Sequence, residues 1–352
     1  MKKTLMIGLA ALATALTQSA SAEETIKVGW CAKTVTSAAA PYAVANKLGW
    51  YAAAGIKVEL SPLPGSTDCV KLVATGDLMF SVPSVEPLAI IHPQGVNAKV
   101  FYTAYQGNIY GIDVPADSPV KAFSDLKGKK VGVQSMGSAG VIIARAVAET
   151  NGLNPDRDIN IVVIGESAQA AAMVRGRQVD ALSLYDTQYA LIEQAGVKLR
   201  ELPTPTSRYP ANGFIALDDT LKTKRKIAVA VAKGYAMGTV FAMANPEAAI
   251  RIMYEVFPQT RSTGKDEATA IHDDELTMNA RAANWKLEKG AVARWGESNM
   301  DNYAAYLDFL LKYGVIKQKA DAKELVTNDL IADINTFDPA KVAAEAKAYK
   351  LH

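Results

Sequence analysis

VGVQSMGSAGVIIARAVA, Val131 to Ala148, is the stretch on which the reading of this chain turns. Val131, Gly132 and Val133 close a strand, a Ser/Gly-rich turn follows, and an apolar helical pattern starts at once. A strand running straight into a helix through Ser135, Gly137, Ser138 and Gly140 aims several backbone N–H groups, and the positive end of a helix dipole, at one spot. That spot suits an anion or a polar ligand atom. The turn lacks the Lys and the spacing of a nucleotide P-loop, and its glycines do not follow the dinucleotide fingerprint. Read alone, the stretch is equally a tight strand-to-helix turn with nothing in it.

Outward from this stretch the same alternation continues. Strand patterns at Lys130–Gln134, Ile159–Ile164 and Ala181–Tyr185 alternate with helix patterns at Gly140–Asn151, Ser167–Arg175 and Thr187–Ala195. Upstream, strands at Thr25–Trp30, Ile56–Leu60, Leu78–Val82 and Lys99–Tyr105 alternate with helices from Pro41 to Leu48 and from an N-cap at Ser66 or Thr67 to Gly76. Repeated βαβ at this spacing predicts parallel sheets covered by helices. Gln106–Ile112 and Gly213–Ala216 read as strands crossing between two such units, with hinges near 106–111 and 209–214. After Asp218 the pattern is helical: Thr223–Ala244, Pro246–Val256, His272–Ala282, Met300–Leu311 and Asp338–Lys350. The expected fold is α/β and two-lobed, one lobe from residues 23–108 and 213–352 and the other from 109–212.

Ligands of such sheets bind outside the carboxyl ends of the strands. The residues there are Trp30, Cys31, Lys33 and Thr34, then Gly65, Ser66 and Thr67, then Ser81, Ser84 and Val85. Small hydroxyl and glycine positions at successive strand ends suggest a concave polar site.

Residues 1–22 read as an export signal. Lys2 and Lys3 precede an apolar run, and Ala20-Ser21-Ala22 supplies an A-x-A cleavage site. No further apolar stretch is expected to span a membrane. Removing both lysines takes the formal charge from +2 to about zero, so nucleic acid is not the expected partner. Cys31 and Cys69 are the two cysteines. In an oxidising compartment they are a disulfide candidate, with two buried thiols as the alternative.

An enzyme reading does poorly. The three histidines, His92, His272 and His352, stand in no H-E-x-x-H or Cys/His ligand pattern, and no G-x-S-x-G occurs. Neither a metal site nor a cofactor is implied. A two-lobed exported chain with a polar cleft is better read as a binding protein that closes on its ligand.

Five stretches then carry a family likeness: PYAVANKLGWYAAAGIKVEL (Pro41–Leu60), GSTDCVKLVATGDLMF (Gly65–Phe80), FSDLKGKKVGVQSMGSAG (Phe123–Gly140), RGRQVDALSLYDTQYALIEQAG (Arg175–Gly196) and VTNDLI (Val326–Ile331). In this order they resemble the periplasmic substrate-binding proteins of ABC importers, of the nitrate/sulfonate/taurine type that includes thiamine-pyrimidine-precursor-binding proteins. The resemblance implies a monomeric periplasmic protein that holds a small solute between its lobes and delivers it to an inner-membrane ABC permease. It also implies contacts from Trp30–Thr36, Gly65, Ser66, Thr67, Ser84, Ser135, Met136, Gly137, Ser138 and the strand end at Tyr185–Asp186. Aromatics at strand ends and crossings, among them Trp30, Tyr105, Tyr110, Tyr185 and Phe214, suggest a solute with a flat portion. Asp186 would meet a donor on the solute or cap its helix. Lys33 and Arg208 would meet a carboxylate or sulfonate, or remain solvated. An aromatic carboxylate or a pyrimidine-like solute is favoured over taurine, an alkylsulfonate or nitrate. An enzyme of thiamine-pyrimidine chemistry and a sensor domain are the competing classes.

Overall fold

The computed structural model describes residues 23–350, so the expected signal peptide lies outside the described residues. Ten strands form two sheets. The first contains β1 (Glu24–Trp30), β2 (Ile56–Pro62), β3 (Phe80–Ser81), β4 (Ala98–Thr103) and β10 (Gly213–Leu217), in the order β2-β1-β3-β10-β4. The second contains β5 (Tyr110–Pro115), β6 (Lys129–Val133), β7 (Ile159–Val163), β8 (Ala181–Tyr185) and β9 (Leu199–Leu202), in the order β7-β6-β8-β5-β9. In each sheet three parallel strands meet one antiparallel strand, β10 in the first and β5 in the second. The strands leading out of β4 and β9 thus enter the opposite sheet. The fold is mixed α/β with helices flanking both sheets.

The helices that shape the cleft follow the parallel strands: α1 (Ala40–Lys47), α2 (Ser66–Ala74), α3 (Val85–Ile91), α4 (Ala139–Thr150), α5 (Ser167–Arg175) and α6 (Asp186–Gln194). Beyond β10 come α7 (Asp218–Thr223), α8 (Arg225–Ala244), α9 (Pro246–Val256), α10 (Glu267–Trp285), α11 (Leu287–Gly290) and α12 (Met300–Lys312).

Several elements differ from expectation for identifiable reasons. The third strand keeps only Phe80 and Ser81; Pro83 just beyond has no N–H to extend the ladder. Ser66 and Thr67 lie inside α2, whose N-cap is Gly65. The Ser66 hydroxyl instead accepts the backbone N–H of Ser84 at 3.2 Å. The helix expected from Thr223 breaks at Lys224, whose ψ of 27° ends α7 before α8 begins. α8 is also long and apolar enough to cross a membrane by length and composition, contrary to the sequence expectation. It serves as a core helix: an added Cβ at Gly234 would strike the Tyr51 ring, and one at Gly238 the Pro41 backbone, so both glycines let α8 lie close against the first lobe. α10 starts earlier than expected because Asp266 caps it, accepting from the Thr269 N–H at 2.9 Å.

α10 matters most for the site. It packs on α6 of the second lobe and on α9 and the turn Ser37–Ala39 of the first. Its end accepts the backbone N–H groups of Gln106 and Gly107, through the Asn284 carbonyl at 2.8 and 3.2 Å, where the chain crosses between sheets.

Candidate functional site

The carboxyl ends of the parallel strands of the two sheets face one another, and their loops meet at a rim. The Pro64 carbonyl accepts from Gln134 Nε2 at 3.1 Å and from the Ser135 hydroxyl at 2.8 Å. Thr67 N–H donates to the Gly137 carbonyl at 3.0 Å. Gly65 must be glycine here, because a Cβ would collide with the Gly137 carbonyl. A second rim contact centres on Glu166, just after β7. Its carboxylate accepts the backbone N–H groups of Lys33 (3.0 Å) and Thr34 (2.8 Å), together with Gln134 Nε2 (2.6 Å). The loop that offers those N–H groups is held by the Trp30 indole donating to the Thr34 carbonyl at 2.9 Å. It is also tied to α2 by a disulfide between Cys31 and Cys69, whose Cα atoms are 5.8 Å apart. Cross-linking a 38-residue separation contributes about 4 kcal/mol in the chain-entropy picture.

Beneath the rim lies a small cavity of about 30 Å³. Trp30, Tyr105, Tyr110, Tyr185, Asn212 and Arg281 supply most of its wall. Tyr110 and Tyr185 pack edge to face, with centroids 6.1 Å apart. Burial pushes both phenols well above their ordinary pKa, so they stay neutral hydroxyls. The Tyr185 hydroxyl has no hydrogen-bond partner. Asn212 donates its Nδ2 to the Val82 carbonyl at 2.8 Å, which fixes the amide and leaves its buried Oδ1 unpartnered.

Arg281, on α10, is almost fully buried, with 4% of its side chain exposed. It forks onto Asp186: Nε lies 3.1 and 2.9 Å from the two carboxylate oxygens and Nη2 lies 2.7 Å from Oδ1. Asn284 Nδ2 donates to Asp186 Oδ2 at 3.1 Å. The guanidinium lies 4.0 Å from the centroid of the Tyr105 ring, a cation–π distance. Burial alone would favour losing the charge. Asp186, the Tyr105 and Tyr235 hydroxyls and the hydrogen bonds to Asp186 outweigh it, and hold Arg281 protonated well above the ordinary guanidinium range. Behind this wall Glu86 is buried against the Tyr306 hydroxyl, its second oxygen unpartnered, and burial raises its pKa.

The site residues expected from sequence therefore separate into groups. Trp30, Tyr110 and Tyr185 line the cavity. Thr34, Gly65, Ser66, Thr67, Ser135, Gly137 and Ser138 lie at or just under the rim. Ser138 and Ser84 are buried there with unpartnered hydroxyls. Lys33 engages through its backbone N–H while the residue itself is exposed. Met136 stands out at the lip, 60% exposed. Asp186 is committed to Arg281 and Asn284 rather than open to a solute. Arg208 is exposed and lies on Tyr209, bonding its hydroxyl at 2.8 Å, away from the cavity wall. Phe214 is a core residue, its ring packed among Tyr42, Phe101, Tyr102 and Tyr235. Sequence reasoning did not single out Glu166, Asn212 or Arg281. One signal was available for Arg281: it shares the buried stripe of α10 with Thr277, Met278 and Trp285, an unusual place for a cation.

A family model described as NMT1/THI5 like matches residues 36–249. The riboflavin-binding protein RibY of Chloroflexus aurantiacus is 20% identical over 83% of this chain and 82% of its own. Among solved structures, the alkanesulfonate-binding protein SsuA of Xanthomonas axonopodis pv. citri bound to MOPS has a TM-score of 0.62 at 16% identity. It covers 86% of this chain and 98% of its own. The periplasmic nitrate-binding protein NrtA of Synechocystis PCC 6803 has a TM-score of 0.61 at 16% identity, covering 94% of this chain and 99% of its own. These likenesses establish the periplasmic binding protein fold.

Proposed function

We propose a function from one premise: the chain belongs to the NMT1/THI5-like family. It is the extracytoplasmic solute-binding component of an ABC importer. It acts in the periplasm as a monomer, closes its lobes (residues 23–108 with 213–352, and 109–212) on a small organic solute, and delivers it to an inner-membrane permease. The observation that carries this reading is the aromatic-walled cavity beneath a rim of direct hydrogen bonds between the two sheets' loops. The aromatic wall chemistry suits a flat solute, an aromatic carboxylate or a pyrimidine-like ring, which the small cavity admits as the lobes part. The relatives that bind a riboflavin, a sulfonate and a nitrate by name support the class while pointing to different solutes. Catalysis finds no support in the cavity wall, where no nucleophile stands beside a general base.

The guanidinium in the cavity wall favours a second reading, an anionic solute such as an alkylsulfonate or nitrate. Native mass spectrometry of the purified protein, followed by a thermal-shift screen of aromatic acids, pyrimidines, sulfonates and nitrate, tests both. A true solute should bind one to one, raise Tm by mass action and be recovered chemically unchanged. Turnover of the bound compound, or no bound solute and no shift with any class, would contradict the reading.

A further inference from the structure

Two places where this cleft could hold an anion are already filled by the chain's own carboxylates. In the cavity wall, the Arg281 guanidinium gives Nε and Nη2 to Asp186. At the rim, the free backbone N–H groups of Lys33 and Thr34, with the Gln134 amide, converge on Glu166. Two of those three groups are backbone donors, the kind of neutral donor that suits a small anion.

The charges around the cavity leave no surplus cation for a further anion. Arg281 is the one cation in its wall. Asp186 neutralises it, Glu86 lies behind Tyr110 with no basic partner among the described residues, and Glu166 sits above. Lys33 is exposed at the rim, and Arg208 is on the surface against Tyr209. An anionic solute in the cavity would be desolvated beside a guanidinium that is already paired, and repelled by Asp186 and Glu166. Of the unpartnered groups on the wall, the Tyr185 hydroxyl can donate or accept, and Asn212 has the opposite preference. Asn212 presents a carbonyl oxygen that cannot flip to its N–H₂ face without placing two oxygens, its own and that of Val82, against each other. It therefore asks for a donor on the solute.

We propose that Asp186 and Glu166 are charge filters: they occupy two anion positions of the cleft, so that it selects an uncharged flat solute bearing a hydrogen-bond donor for Asn212. This rests on the solute-binding reading above and narrows it. Asp186 is the stronger filter because its partner is buried, and Glu166, at the more exposed rim, is the weaker one.

The test uses near-isosteric pairs that differ in charge: benzamide and benzoate, nicotinamide and nicotinate, orotamide and orotate, each titrated into the full mature protein by calorimetry. In the wild type the uncharged member of a binding pair should be at least tenfold tighter. Asp186→Asn should shrink that ratio at least tenfold or reverse it, and Glu166→Gln should shrink it by less. Asp186→Asn leaves Arg281 buried without its partner and could lose the fold. The double variant Asp186→Asn/Arg281→Gln removes both charges; it should discriminate against the anions more strongly than Asp186→Asn does, and discrimination no stronger than that of Asp186→Asn would overturn the filter. Equal or tighter binding of the anions by the wild type would overturn the filter while leaving the solute-binding reading intact. If no pair binds, the solute that native mass spectrometry finds on the purified protein decides: an uncharged one supports the filter, and an anion overturns it. No pair binding and no solute on the protein would overturn the filter and the solute-binding reading together.

Discussion

The rim and the floor of the cleft are built in opposite ways. At the rim each bond between the sheets' loops uses a backbone group of the first: the Pro64 carbonyl meets the Gln134 and Ser135 side chains, and the Thr67 N–H meets the Gly137 carbonyl. The floor is made of large side chains from elements far apart in the chain, with Arg281 reaching across 95 residues of sequence to Asp186. Backbone contacts at the rim can form whatever solute is present, so the rim suits closure. Side chains at the floor carry shape, charge and hydrogen-bond direction, so the floor suits selection. The anion-nest reading of the Ser135–Ser138 turn is sharpened by this contrast: its Gly137 carbonyl accepts a bond from the Thr67 N–H of the other sheet's loop, which in the proposed closing motion makes the turn a jaw.

The largest expected effect is at the floor. Arg281→Met leaves Asp186 buried without its cation and should cost roughly 3–5 kcal/mol, read as a lower midpoint in urea. A loss below about 1 kcal/mol would show that the pair does not organise the floor. At the rim, reducing the Cys31–Cys69 bridge, or replacing both residues by Ser, should cost about 2–4 kcal/mol. An unchanged Tm under reductant would show that the tether of the Cys31–Thr34 loop does not stabilise the fold.

Asp113, on β5 away from the cleft, gives a control. Burial, with Glu201 and Glu193 nearby, pushes its carboxyl up to about 7. Between roughly pH 4 and 7 the folded protein keeps this proton while the unfolded chain has released it, so stability falls as pH rises through that window. Asp113→Asn should therefore stabilise by on the order of 1–3 kcal/mol near pH 8, and give no gain near pH 4. A gain of the same size at both pH values would contradict the assignment, and solute affinity should not move. The smallest stability change is expected for Gly65→Ala, within about 1 kcal/mol, because the added Cβ collides only when the lobes close. Its affinity for the solute should nonetheless fall at least tenfold. Unchanged affinity would remove the rim from the closing mechanism.

Sequence reasoning reached the rim more fully than the floor, and the reason is physical. The rim depends on local chemistry: strand ends, small turn residues and the helices that follow them sit within a few positions of one another, so Gly65, Ser66, Ser135 and Ser138 stand out. The alternation of strand and helix likewise made both sheets legible, down to the two crossing strands. The floor depends on pairings chosen by tertiary packing. Asp186 looked like a helix cap or a free acceptor because its partner lies on a helix whose pattern alone assigns it no role at the cleft. Asn212 lies on the returning crossing, where no periodicity marks a direction. Phe214 and Arg208 show the converse error, since aromatic or cationic character near a crossing does not say which way a side chain faces.

The most direct test of the central claim, that this protein closes two lobes on a solute held at the aromatic floor, is small-angle X-ray scattering of the protein stripped of solute by unfolding and refolding, before and after the solute identified by native mass spectrometry is restored. The radius of gyration should fall when the solute is added to the wild type and stay at the open value in Gly65→Ala. A radius that is unchanged when the wild type is saturated would contradict closure on the solute.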